Sequence, residues 1–369
     1  MREKLTFLPK LALVLFCLIS LTYIAILGQS LLAPLLFSFL MALLMLPLAN
    51  TLEKRLKFKR SLSTIASVVL MIAVVSGVVY FFGNQLRDLW SDWPLLEQKG
   101  TESFIELKAW AYQNFKITIP EPASYIKESQ NKALATSAAI VGSTLATVSS
   151  TFLFLGFTLL FTFFILNYRR VLYTFLTSVF KEEHRQRVTE IVTHIQRIIK
   201  SYIIGLFLQM FIVSLLLIIV LSLLGVKYAI LLGLIGGIFN VVPYLGIFFA
   251  LVVSCLVTFA TAGAAKVLLV LIAFIAVHAV DGNILMPLVV GSKVKINALF
   301  AFIGIVVGEM IWGISGMFLC IPYLAMLKII FDRVDTLKPW GILMGEEYKP
   351  EKKKRVYRIT KKIKLEEKD

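Results

Sequence analysis

Apolar residues fall in long, nearly uninterrupted runs along this chain. The runs 11–27, 31–49, 62–82, 151–166 and 201–224 lie near the ~20 residues that a helix needs to cross about 30 Å of hydrocarbon. Two others, 228–262 and 297–327, are too long for one ordinary span, and each is broken near its middle. The pattern predicts an all-α, polytopic helical membrane protein with broken or re-entrant helices in its C-terminal half and an extramembrane helical region.

Polar residues matter most where they interrupt these runs. Within 231–330 the interruptions are Asn240-Val241-Val242-Pro243-Tyr244-Leu245-Gly246, then Asp281-Gly282-Asn283 to Pro287, then Gly313-Ile314-Ser315-Gly316. A backbone group freed from its helix finds no water in lipid, so such breaks survive only where protein or a wet cavity surrounds them. Pro243 has no N–H for the carbonyl of Phe239 and disfavours helical geometry at Val242, which predicts a kink or stop around Asn240. Pro287 repeats this one span later, freeing the carbonyl of Asn283 close to Asp281. A single proline kink packed against a neighbour is ordinary in membrane helices. Three breaks in one stretch, two with polar partners, point instead to a site.

Asp281 and Glu309 are the only carboxylates well inside apolar runs, and an intramembrane ionisable residue is a functional candidate by default. Such a group suits the exchange of a proton or sodium ion. Glu309 has a competing reading as an interface residue beside Trp312. His278 lies three residues before Asp281, on the same face of a regular helix, where a proton relay and a packed imidazole are both open readings. The long runs also admit two geometries, hairpins of two short helices or single tilted broken helices. Hairpins place Lys266 outside and Lys293 with Lys295 inside, which the positive-inside rule prefers. Paired broken segments around a central site are the pattern of secondary transporters.

Charge sets the orientation. Lys54, Arg55, Lys57, Lys59 and Arg60 form the densest short basic loop, expected on the cytoplasmic side. The run 11–27 follows a basic start and imitates a secretory signal, but no small-residue cleavage site follows; an uncleaved span and a tight turn at Gly28-Gln29-Ser30 are expected. The region 84–150 is slightly acidic and predicted outside, with Phe104, Leu107, Ala111 and Phe115 forming an apolar helical stripe and a second segment starting at Ala123. After Tyr168-Arg169-Arg170 a basic amphipathic helix carries Val188, Ile191, Ile195, Ile198 and Tyr202 on one face. The expected layout is 1–83 N-terminal spans, 84–150 the outer helical region, 151–200 a span with the amphipathic helix, 201–335 the transport core and 336–369 a basic cytoplasmic tail. Both termini are placed in the cytoplasm.

At 59% hydrophobic and 16% charged residues, the composition departs from the roughly 25% charged typical of soluble domains. The net charge of +16 flanks the spans and fills the tail, as an anionic leaflet requires, so a nucleic-acid partner is not expected. Cys17, Cys255 and Cys320 lie apart in apolar runs and read as packing residues, without metal or disulfide. No phosphate loop, HExxH, CxxC or GxSxG motif occurs. The chain is read as a non-enzyme without a cofactor.

Gly233 through Asn240, Pro243, Tyr244 and Gly246, then Asp281 to Pro287 with Gly291, then Gly313 to Met317 with Pro322, resemble the signature of the autoinducer-2 exporter family of bacterial permeases. The first half, with Pro34 and Pro47, is similar in layout. Where many members carry His-Pro, this chain reads Asn297-Ala298. The resemblance implies a multi-pass transporter of the bacterial cytoplasmic membrane and a homo-oligomer. With the broken helices and Asp281 the leading reading is a secondary transporter exporting a small polar or anionic solute, coupled to a proton or sodium gradient, and the resemblance implies autoinducer-2 as that solute. A sodium-proton antiporter and a non-transporting scaffold recruiting partners remain as alternatives. The substrate or ion pathway is assigned to Asn240, Pro243, Tyr244, Gly246, Asp281, Asn283, Pro287, Gly291, Glu309, Gly313 and Gly316, with anionic lipid as partner of the basic tail.

Overall fold

In the computed structural model, the described residues are 7–116, 149–241, 245–290 and 296–345. Pro243, Tyr244, Gly291, Lys293, Lys295, the segment from Ala123 and the basic tail lie outside them. Among the described residues every regular element is helical. In chain order these are α1 (Phe7–Leu27), α2 (Gln29–Lys54), α3 (Arg60–Ser91), α4 (Trp93–Phe115), α5 (Ser149–Asn167) and α6 (Arg169–Ser178). There follow α7 (Glu182–Leu223), α8 (Ala229–Phe239), α9 (Leu245–Val280) running into a π-helical stretch (Asp281–Val290), α10 (Ala298–Arg333) and α11 (Lys338–Met344). Six of the described helices, α2, α3, α5, α7, α9 with its π stretch, and α10, are long and apolar enough to cross a membrane.

Polar contacts divide the molecule into two ends. At one, Glu53 pairs with Arg169 and Arg170, Ser61 bonds Asn167, and Arg187 at the start of α7 pairs with Asp335 after α10. This basic end carries the Lys54–Arg60 loop. At the far end Asp92, between α3 and α4, accepts from Lys227 and Tyr228 at the start of α8. The Lys266 ammonium donates to the Gly225 carbonyl, so Lys266 sits at the far end, as the hairpin reading expects.

The two long runs do fold back, from opposite ends. In the first, α8 descends from Tyr228 to Asn240, and α9 climbs back until Ala260 lies beside Gly100 of α4. Gly263 (φ 75) then reverses the chain. The returning arm reaches Phe274 against Gly236, and Ile247 and Ala250 share one buried cluster with Val270, Phe274 and Val277. The second hairpin is α10. Its 36 residues would rise about 54 Å if straight, far more than the bilayer core. Trp312 (φ −137, ψ 17) and Gly313 (φ 59) turn it instead, and its arms meet so closely at Gly308 and Gly316 that a Cβ on either would overlap the other's backbone.

The α8 hairpin is pressed onto α7 by small residues four apart. A Cβ at Gly233 would fall 2.5 Å from Ile218 Cγ1, and one at Gly237 would fall 2.5 Å from the Met210 carbonyl. Only glycine allows this backbone approach, the membrane counterpart of burying apolar side chains. Further along, Phe37 of α2 stacks on Phe318 of α10 at 4.8 Å, and the Tyr323 hydroxyl donates to the Leu36 carbonyl. These contacts dock the second hairpin on the N-terminal half.

The expected tight turn at Gly28-Gln29-Ser30 is corrected by the structure. Gly28 (φ −85, ψ 10) donates to the Ile24 carbonyl at 2.8 Å and accepts from Leu32 N at 2.8 Å. These are helical bonds on both sides, so α1 bends into α2 and does not reverse. The small polar triplet resembles a turn in composition, yet each of its residues tolerates helical geometry. Most described side chains of α1 are exposed, and the Trp312 indole donates to the Ala25 carbonyl at 2.8 Å.

Candidate functional site

Asp281 lies where α7, the tip of α8 and the start of the π stretch converge. It continues the buried stripe Val270, Phe274 and Val277 of α9, so spacings of four, three and four residues carry the carboxylate to the protein interior. His278 is exposed, and among the described residues the partners of Asp281 are Gln209 and Asn240, not His278. The carboxylate is 5% exposed. Its Oδ1 accepts from Gln209 Nε2 at 2.8 Å and its Oδ2 from Asn240 Nδ2 at 2.9 Å. Gln209 and Asn240 are themselves buried. Among the described residues no basic side chain pairs with Asp281.

The backbone explains this placement. Asn240 caps the end of α8, where its N–H still reaches the Gly236 carbonyl, and Gly246 at the start of α9 passes against the Phe239 carbonyl. Beyond Asp281 the helix widens to π geometry with Pro287 inside it. In an α-helix the Pro287 ring would clash with the carbonyl four residues back, and widening relieves that clash. The acceptor in a π-helix is five residues back, so the carbonyl left without a donor is that of Gly282, adjacent to Asp281, where α-helical counting had expected Asn283. The Asn283 side chain donates to the Ala279 carbonyl at 2.8 Å and is otherwise exposed.

Asn240, Gly246, Asp281, Asn283 and Pro287 are thus brought to one region. Glu309, Gly313 and Gly316 are not: they belong to the second hairpin, where Glu309 is exposed, Gly313 makes the turn and Gly316 packs against Gly308. Gln209 is the residue that sequence reasoning missed. Its signal was available, since it is a polar residue in the apolar run 201–224, and intramembrane polar residues bond across helices.

The sequence profile of the AI-2E family transporter family matches residues 15–335. The chain belongs to that family. AI-2E family proteins are transporters and not enzymes, and this member is a multi-pass protein of the bacterial cytoplasmic membrane. It is 36% identical over 106 residues to "Putative transport protein YrrI" of Bacillus subtilis (strain 168), covering 29% of this chain and 30% of that protein. It is 33% identical over 113 residues to "Putative transport protein YueF" of the same organism, 31% of this chain and 30% of that one. A "Putative transport protein" of Borreliella burgdorferi is 25% identical over 187 residues, half of each chain. The matched segments span about half or less of these relatives' lengths.

The structure also gives the AI-2E chain's departure from the His-Pro pattern a purpose. Asn297 caps α10, its side chain accepting from Phe300 N at 2.9 Å. It also donates to the carbonyls of Leu343 at 2.8 Å and Gly345 at 3.1 Å, and its N–H donates to the Met344 carbonyl. One side chain thereby fastens α11 to the mouth of the second hairpin.

Proposed function

We propose that this chain is a secondary transporter that exports a small polar or anionic solute, of the kind represented by autoinducer-2. Export is coupled to a proton or sodium ion bound at Asp281. The observation that carries this reading is a buried carboxylate whose two oxygens take neutral amide donors and, among the described residues, no cation. Hydrogen bonds to a charged acceptor stabilise it, yet they leave its charge for an ion to neutralise. One donor sits on α7 and the other at the tip of the α8 hairpin. A proton on the carboxyl removes an acceptor, loosens Asn240 and frees the hairpin tip; return of the charge fastens it again. Hairpins entering from opposite ends supply the two gates that alternating access needs. Asn240, Gly246, Asp281, Asn283 and Pro287, with the undescribed Pro243, Tyr244 and Gly291, line the pathway in this reading; Glu309, Gly313 and Gly316 belong to the second gate.

A sodium-proton antiporter uses the same carboxylate without a solute. A scaffold needs neither the buried charge nor the breaks. The layout supports a core at 201–335, an outer region at 84–150 and a basic cytoplasmic tail at 336–369 attracted to anionic lipid. The exposed apolar faces of α1 and α5 suit a homo-oligomer. The basic loop before α3 supports a cytoplasmic C-terminus, whereas the cytoplasmic N-terminus rests on Arg2, Lys4 and Lys10, since α1 does not fold back at Gly28. Proteoliposomes loaded with autoinducer-2 test the reading. An imposed proton or sodium gradient is expected to drive release; gradient-driven ion flux without release favours the antiporter, and no flux of either leaves the scaffold.

A further inference from the structure

At the basic end a groove of about 300 Å³ opens between the polar beginning of α7 and the end of α10, lined by Thr189, Glu190, Thr193, His194, Arg197 and Arg333. Its two guanidiniums come from different helices. Among the described residues neither makes a hydrogen bond or ion pair, whereas Arg185, Arg187, Lys328 and Lys338 around them all have carboxylate partners. Two like charges at one groove repel each other unless an anion sits between them. Burial, then the charges of Arg333 and Arg197, hold the His194 imidazole below its usual pKa. It is therefore neutral near pH 7 and offers one ring N–H. Glu190, the single acid of the lining, accepts from Gln186 at 3.3 Å.

The groove also has a definite depth. Tyr173 of α6 donates to the Thr189 hydroxyl at 3.3 Å, which fixes α6 beside it. That short helix follows a membrane span and exposes Val171, Leu172, Phe175 and Leu176, with Val179 and Phe180 exposed just past its end. A helix with this apolar face lies at the boundary between acyl chains and headgroups, so the groove opens at the level of lipid phosphates.

We propose that this groove is a phosphate-binding site occupied by the headgroup of an anionic phospholipid, gripped by Arg197 and Arg333 with His194 as a further donor. Guanidinium is the side chain that matches phosphate by paired N–H donors. The site differs from the diffuse attraction of the basic tail because Arg197, Arg333 and His194 line one groove, and it does not depend on the role of Asp281.

The test uses the full chain in nanodiscs and native mass spectrometry, with phosphatidylglycerol competed against phosphatidylcholine and inorganic phosphate as the soluble probe. The wild type is expected to retain phosphatidylglycerol in the presence of millimolar phosphate. Arg197→Gln or Arg333→Gln should each weaken retention about tenfold, the effect of losing one charge-assisted contact, and Arg185→Gln should leave it unchanged. Phosphatidylglycerol should raise the His194 titration midpoint in the wild type and not in the double variant. Arg-dependent binding of inorganic phosphate without preference for phosphatidylglycerol would overturn the lipid assignment. Retention unchanged in the double variant would overturn the site itself.

Discussion

Replacing Gln209 by Leu removes one of the two donors that hold Asp281 while keeping an apolar side chain of similar length on α7. The lost contact is a 2.8 Å bond between groups that are 7% and 5% exposed, so water does not replace it. A hydrogen bond to a charged group contributes about 1.5–3 kcal/mol net, against about 0.5–1.5 kcal/mol for a neutral pair. Gln209→Leu is therefore expected to cost about 2 kcal/mol when residue 281 is a carboxylate and about 1 kcal/mol in the Asp281→Asn background. The double-mutant cycle should show a coupling of about 1 kcal/mol. Reversible unfolding of the four proteins in lipid discs measures it. Costs that add to within about 0.3 kcal/mol would refute the claim that Gln209 stabilises a charged Asp281.

Gly237→Ala places a Cβ against the Met210 carbonyl and Ser214 N, backbone groups that cannot swing aside. The expected cost is about 1–3 kcal/mol, with slower flux because Asn240 lies one turn further on; wild-type melting and flux would contradict the close approach. Asn297→Ala should cost about 1 kcal/mol from the lost cap and raise hydrogen exchange in α11 well above wild type. At the far end, the bonds from Lys227 and then Tyr228 lower the Asp92 pKa. Its contribution is full above the ordinary carboxylate range and is lost as pH falls through the lowered value, so exchange at the start of α8 should rise only in strong acid. Asp92→Asn should flatten that dependence.

The breaks were legible in the sequence because Asp281, Pro287 and Gly313 are conspicuous in apolar surroundings, and each marks a real departure from regular α-helix, while Pro243 lies outside the described residues. Whether the long runs were hairpins was not legible, because length and charge fit both geometries. For the second run the answer lies in the positive-φ Gly313; for the first it lies in the packing of Ile247 and Ala250 with Leu231, Leu232 and Ile235, and Gly263 reverses the chain only past that run. The contact of Gln209 was not legible, although an amide in an apolar run stood out, because it lies 72 positions from Asp281 and periodicity says nothing about contacts at that separation. Glu309, like Asp281 a carboxylate within an apolar run but with a competing reading as an interface residue, is exposed on the second hairpin. Gly28 misled for a local reason: a glycine between helices satisfies helical bonding as readily as a turn.

The most direct test of the account is gradient-driven autoinducer-2 release from proteoliposomes containing wild type, Asp281→Asn or Glu309→Gln. Asp281→Asn keeps the size of the side chain and one carbonyl acceptor but cannot take up or release an ion. The account predicts that it inserts normally and loses the response to proton or sodium gradients, with Glu309→Gln affected less. Release by Asp281→Asn at the wild-type rate, with the same gradient dependence, would contradict ion coupling at this carboxylate.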